Sequence, residues 1–180
     1  MASNALPSQE VLRQLLRYEP STGKLFWKER TGGKSEKHTK TWNSRNAGTE
    51  AFPTIHKQGY RKGTLLGVTV LAHRVAWAIQ TGVWPDEQVD HINGMKSDNR
   101  WENLRQVTNS ENCRNMPIPK HNTSGVLGVY TEGKGWKAAI QVGGKNIHLG
   151  CFRSLSDAAQ ARKEAENKYG YHANHGRVLI

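Results

Sequence analysis

The chain has 180 residues, with 26 Lys and Arg against 15 Asp and Glu, a formal net charge of +11. A surplus of this size favours a polyanionic partner, because each neutralised phosphate releases a condensed counterion, and it says nothing about fold. The length fits one large domain or two small ones. Cys113 and Cys151 are the only cysteines and form no Cys-x-x-Cys pair, which argues against a structural zinc ribbon and for free, partly buried thiols in a reducing cytosol. No apolar run approaches a membrane span and the N-terminus lacks a signal peptide's apolar core, so a cytoplasmic protein without a membrane partner is expected.

Residues 1–7 read as a frayed end. Ser8 can cap a short helix with Glu10 in its first turn, and Val11, Leu12, Leu15 and Leu16 recur at helical spacing. Glu19-Pro20-Ser21-Thr22-Gly23 is a turn signal, and Lys24 to Lys28 alternates as a half-buried strand. Residues 29–47, polar and rich in Lys, Gly, Ser and Thr, read as a plain exposed loop, with contact to phosphates as the alternative. Short strands punctuated by glycine follow from Gly48 to Leu71 and suit a small antiparallel sheet. Leu71 to Ile79 has helical spacing and stops at Gly82. His73 and Arg74 lie near its start, where an arginine and free backbone N–H groups can hold a phosphate; for His73, simple packing is an equal alternative.

The stretch from Gln88 to Asn115 carries the chemistry. Gln88 to Ile92 reads as a strand and Asn93-Gly94 as a tight turn. Met95 to Glu102 reads as a loop and Leu104 to Val107 as a second strand. A helix capped by Thr108 or Asn109 then carries Glu111, Asn112 and Asn115. Phosphodiester cleavage needs a nucleophile, a stabiliser of phosphate charge and help for the departing 3′ oxygen, and a divalent cation serves the last two. Asp90 is a hard oxygen ligand and the Asn112 amide a neutral second one, enough for an ion that keeps several waters. His91, next to Asp90 on a strand, leaves from the opposite face and is suited to take a proton from water. The Asn103 side-chain carbonyl or a nearby backbone carbonyl can orient its ring. Arg100 and Arg105 are candidates for flanking phosphates.

Asp90-His91-Ile92-Asn93-Gly94, Asn99-Arg100, Glu102-Asn103-Leu104-Arg105 and Glu111-Asn112 resemble the HNH endonucleases of the ββα-metal class, closest to the homing-type enzymes of phages and their bacterial relatives. The resemblance extends to His73-Arg74-Val75-Ala76-Trp77 and to Tyr18 through Trp27, covering most of residues 10–116. It implies His91 as general base, Asp90 and Asn112 as metal ligands, and Asn103 as the middle asparagine supporting the loop and His91. Asn112 stands where many such enzymes carry a final histidine, which matches the homing subgroup and favours one Mg²⁺ or Mn²⁺ per active site over a zinc-type site. Products with 5′-phosphate and 3′-hydroxyl ends are implied.

Pro117 to Asn122 reads as a linker. Beyond it, Gly125–Tyr130, Trp136–Val142 and Lys145–Gly150 are strand-like, joined by turns at Gly133-Lys134-Gly135 and Gly143-Gly144. Ser154-Leu155-Ser156-Asp157 opens a helix that runs to about Tyr169, with Gly170 as its stop. Alternation sends Val129, Trp136, Ala138, Ile140 and Ile147 toward that helix and Tyr130, Lys137, Ala139, Gln141, Asn146 and His148 away from it. Ser124 to Tyr130, Trp136 to Ile140, Ile147 to Phe152 and Asp157-Ala158-Ala159 resemble the Apetala-two (ethylene-response-factor) DNA-binding domain. Such domains lay a three-stranded sheet in the major groove. The resemblance implies a DNA-reading face of Tyr130, Lys137, Gln141, Lys145, Asn146 and His148.

The expectation is an α+β protein: an HNH module at 1–116 with core about 60–116, a linker at 117–122, and a sheet module at 123–176. It would be a metal-dependent endonuclease acting on double-stranded DNA, as a monomer or weak homodimer. A non-catalytic DNA-binding regulator and an RNA-directed nuclease are the rivals. Target sequence, nicking against double-strand cutting, and biological role stay open.

Overall fold

The computed structural model describes residues 5–119 and 121–176. Residues 1–4 of the expected N-terminal end and Lys120 of the expected linker lie outside the described residues. The chain is a mixed α+β protein in two compact units, Met1–Gln106 and Val107–Ile180.

The first unit begins with α1 (Gln9–Leu15), where the Ser8 hydroxyl oxygen accepts from the Val11 N–H at 3.4 Å and Leu12 is fully buried. β1 (Leu16–Glu19) and β2 (Lys24–Trp27) then form an antiparallel hairpin with Leu16 opposite Trp27 and Tyr18 opposite Leu25, and β3 (Glu50–Ala51) pairs along β2. Period-two alternation puts Leu16, Tyr18 and Leu25 into one core with Leu12, Leu65, Val70, Val75, Val89 and Leu104.

The hairpin tip matters for what lies against it. Gly23 has φ +73°, and a Cβ added there would stand 2.4 Å from both Arg100 N and Asn99 C. Gly23→Ala is therefore expected to cost about 2–5 kcal/mol, combining a left-handed backbone penalty with overpacking against main chain that has no rotamer to change. A thermal melt checks it, and an unchanged midpoint would contradict the packing described.

The expected loop at 29–47 is instead built around a helix, α2 (Glu36–Asn46), capped by Ser35, whose hydroxyl oxygen accepts from the His38 N–H at 3.2 Å. None of its residues is buried, so it carries no apolar stripe by which a sequence pattern would reveal it. It is fastened by side chains. The Arg30 guanidinium stacks on Trp42 at 3.5 Å, Trp42 meets Trp27 edge-on at 5.7 Å, and the Asn43 amide accepts from Arg30 N at 2.9 Å and donates to Arg30 O at 3.0 Å.

β4 (Lys62–Leu65) and β5 (Val68–Leu71) make the next hairpin, and β5 runs straight into α3 (Ala72–Thr81). Ala72, His73, Val75, Ala76 and Ala78 are the buried face of α3, and Gly82 ends it in the left-handed conformation at φ +90°. β6 (Gln88–His91) pairs with β7 (Leu104–Val107), and a 3-10 turn at Trp101–Asn103 closes the loop between them.

The second unit starts with α4 (Asn109–Cys113), held by a full capping box between Thr108 and Glu111. Asn115, expected on this helix, lies beyond its end. His172 N–H donates to Arg114 O at 3.3 Å and Gly176 N–H to Met116 O at 2.8 Å. Those bonds tie the segment after β7 to the C-terminal part of the chain, so residues 107–116 group with the second unit rather than with the first. β8 (Val129–Glu132), β9 (Gly135–Val142) and β10 (Lys145–Phe152) form an antiparallel sheet in the order β10-β9-β8. Residues 125–128, expected within the first strand, form turns before it. α5 (Leu155–Lys168), capped by Ser154, buries Ala158 against Val129 and Ala138. Ala139, expected on the open face, is buried, and its carbonyl accepts from the buried Arg162, which also bonds Glu166 at 2.9 Å. The two cysteines are exposed rather than partly buried. Among the described residues, no helix is long and apolar enough to cross a membrane.

Candidate active site

His91 ends β6 and is buried at 3 % exposure. Its Nε2 lies 3.0 Å from Asn99 Oδ1. An amide oxygen only accepts, so Nε2 carries the proton of the neutral ring and the lone pair resides on Nδ1. Burial pushes the imidazole below the ordinary histidine range, against the opposing pull of the Asn99 bond and of Asp90 and Asp98. A neutral ring with a fixed tautomer is the state a general base needs.

Asn99, part of the motif but without a role expected from the sequence, orients His91. Asn103, expected to do so, instead braces the loop: its Oδ1 accepts from Asn93 N at 2.9 Å and its Nδ2 donates to Asp98 O at 2.7 Å. Asn93 Nδ2 in turn donates to Asp98 Oδ2 at 2.7 Å. Arg100 grips Asp98 in a two-point pair, Nε to Oδ1 at 2.9 Å and Nη2 to Oδ2 at 2.8 Å, which holds that carboxyl down at about 2. The Tyr18 hydroxyl donates to Asn99 O at 2.7 Å, so the β1–β2 hairpin clamps the same loop.

Asp90 stands beside His91 with its side chain 11 % exposed, and its Oδ2 accepts from Arg105 Nε at 3.1 Å and Nη2 at 2.9 Å. The arginines expected on phosphates are thus engaged within the unit: Arg105 with Asp90, Arg100 with Asp98 and Glu102, and Arg74 with the carbonyls of Pro85 and Glu87 at 2.8 and 3.2 Å. His73 is buried behind His91 rather than presented to solvent. Its ring meets His91 edge-on at 5.0 Å and Tyr60 at 5.2 Å, and its Nδ1 has no hydrogen-bond partner. Burial first, then the Coulombic interactions with the neighbouring His91 and Arg74, depress its pKa to about 3. Among the described residues, no three His, Cys, Asp or Glu side chains gather to hold a metal.

His73, Asp90, His91, Asn99, Asn103 and Arg105 fall within residues 70–114, which match the model of an HNH endonuclease family, while Tyr18 and Tyr60 lie outside the match. Protein 3.8 of Escherichia phage T7 is 34 % identical to this chain over 85 residues, which cover 46 % of the chain and 68 % of the phage protein. The chain belongs to the family of that phage protein. No solved structure matches the chain. The HNH match supports a nuclease, for which DNA is the implied substrate.

Two asparagines within the HNH match separate cleanly by their bonds. Asn99→Ala is expected to slow cleavage about 10–100-fold by freeing the His91 ring, the usual effect of losing a residue that orients a reacting group. Asn103→Ala should lower the thermal midpoint of the first unit as well, since it leaves Asn93 N and Asp98 O unpaired. Equal cleavage rates for Asn99→Ala and wild type would contradict the orienting role.

Asn112 sits on α4, in the second unit. Of the residues expected on a DNA-reading sheet face, Tyr130, Gln141 and Asn146 line a cleft of about 480 Å³ with Asn109, Arg114 and Tyr171. The Tyr171 hydroxyl donates to Gln141 O. Those three residues therefore line a recess within this unit, which does not include Lys137, Lys145 or His148. Lys137 pairs with Glu132 at 3.7 Å, while Lys145 and His148 are exposed, His148 Nε2 lying 3.9 Å from Cys151 Sγ.

Proposed function

We propose that the chain is a metal-dependent endonuclease that hydrolyses phosphodiester bonds of double-stranded DNA, leaving 5′-phosphate and 3′-hydroxyl ends. The observation that carries this reading is the buried His91, inside the HNH match, with Nε2 fixed by Asn99. His91 Nδ1 accepts a proton from the attacking water, the water oxygen bonds to phosphorus, and the 3′ oxygen departs with the bonding pair and takes up a proton.

The donor chemistry fits a hard cation. Asp90 offers a carboxylate that Arg105 keeps oriented, and Asn112 is carried over from the resemblance as an amide ligand. One Mg²⁺ or Mn²⁺, when bound, supplies charge stabilisation at the phosphate and at the departing oxygen. Arg105 positions Asp90, and its remaining N–H donors are proposed to meet a phosphate oxygen. Arg100 holds Asp98 and so keeps the Asn99 loop in place. His73 supports the His91 ring from behind, a packing role in place of the phosphate contact considered from sequence.

The second unit is proposed to tether the enzyme to duplex DNA through Tyr130, Lys137, Gln141, Lys145, Asn146 and His148, as the Apetala-two resemblance implies. Tethering raises the local DNA concentration without tight binding by either unit. A phage or mobile-element homing-type role, in the cytoplasm of the host cell and as a monomer or weak homodimer, fits the phage relative. Product chemistry tests the reaction. Nicked plasmid should be resealed by DNA ligase without prior end repair, and nicks that ligase cannot seal would contradict hydrolysis at the 3′ oxygen.

A further inference from the structure

We propose that the outer face of α2 is a docking surface for the phosphate backbone of duplex DNA, an inference that rests on the nuclease reading and extends it beyond the HNH match. Residues 34–46 carry four cations, Lys34, Lys37, Lys40 and Arg45, against the single carboxylate of Glu36. Lys37, Lys40 and Arg45 are exposed, while Trp42, Asn43 and Asn46 turn toward the unit. At about 100° per residue Lys37, Lys40 and Arg45 fall within an arc of about 140° on the side of α2 away from Trp42, Asn43 and Asn46, over about 12 Å between Lys37 and Arg45. That span is comparable to the roughly 12 Å width of the major groove, and a row of this length reaches phosphates bordering one groove.

Core packing does not explain the helix. It buries none of its residues, and a helix of this length is marginal in water without packing of its own. The chain nevertheless holds it through the Arg30–Trp42 stack, the Trp27–Trp42 contact and the paired Asn43–Arg30 bonds. Those contacts fix the orientation of its cationic side. Trp27 is the last residue of β2, the strand whose hairpin tip packs on Asn99 and Arg100, so α2 and the loop that orients His91 both pack on the β1–β2 hairpin. Glu36 pairs with Lys40 at 2.7 Å, an exposed pair that phosphate can outcompete at little cost.

The test is equilibrium binding to a short DNA duplex in EDTA, across a range of KCl concentrations. Wild type is compared with the triple variant K37Q/K40Q/R45Q and with the charge-preserving K37R/K40R/R45K. Loss of three phosphate contacts should lower the slope of log affinity against log salt by about 2–3 and weaken binding at low salt about 10–100-fold. The charge-preserving variant should bind like wild type, and Glu36→Gln should bind more tightly. Under Mg²⁺ the neutralised variant should keep its cleavage rate at saturating DNA while its KM rises. Wild-type binding with an unchanged slope in the triple variant would overturn the docking surface and leave the nuclease reading intact. A wild type that neither binds nor cuts DNA would overturn both. Loss of affinity for duplex RNA alone would assign the surface to RNA and overturn the proposal for DNA.

Discussion

His91→Ala is expected to lower the single-turnover rate of plasmid nicking by about 10²–10⁴-fold while leaving DNA affinity nearly unchanged. The magnitude follows from the role: without the imidazole the water must ionise unaided, and binding groups elsewhere are untouched. Because His91 is 3 % exposed, its removal also leaves a cavity beside His73 and Tyr60. His91→Gln is the better-controlled partner, since its amide can keep a bond to Asn99 and fill part of the space but is no base at neutral pH. Both variants should be slow. A His91→Gln enzyme that cleaves at the wild-type rate would remove the histidine from the chemistry.

Acid should destabilise the first unit well before its carboxylates are protonated. His73 faces the rings of Tyr60 and His91 and the Arg74 charge, and its folded pKa of about 3 lies below the roughly 6.5 of an exposed histidine. The unfolded chain therefore binds the extra proton between these values. Stability is full above about pH 6.5 and falls as pH drops toward 3, at about 1.4 kcal/mol per pH unit, for a total of about 4–5 kcal/mol. The depressed His91 acts in the same direction. Five of the six tryptophans lie in residues 1–106, so tryptophan fluorescence in urea reports mainly this unit. Its midpoint should fall steadily from pH 7 to pH 4.5, and His73→Leu should flatten that dependence. Identical pH dependence in the two proteins would contradict a buried neutral His73.

Where an element had a face in the core, its pattern was readable. Leu71, Val75, Ala78 and Ile79 recur at helical spacing, and α3 follows with Val75 and Ala78 buried. Leu16, Tyr18 and Leu25 alternate as their strands do. α2 was not readable for the same reason in reverse: with nothing buried, its only local signals were the Ser35 cap and the absence of proline. Within the site, His91 and Asp90 stood out as a pair. The division of labour between Asn99 and Asn103 did not, because both are buried asparagines of one loop and only the fold decides which amide meets the ring. The grouping of residues 107–116 with the second unit depends on main-chain bonds to His172 and Gly176, which no local pattern encodes.

The most direct test of the central claim is conversion of supercoiled plasmid and of phage genomic DNA by the purified protein, in Mg²⁺ and in EDTA, with His91→Gln alongside. The account predicts open-circle or linear product that requires the metal and is lost in the variant. Wild type and variant that both leave every substrate intact, yet shift it equally on a gel, would contradict the nuclease and make the chain a DNA-binding protein with an HNH scaffold.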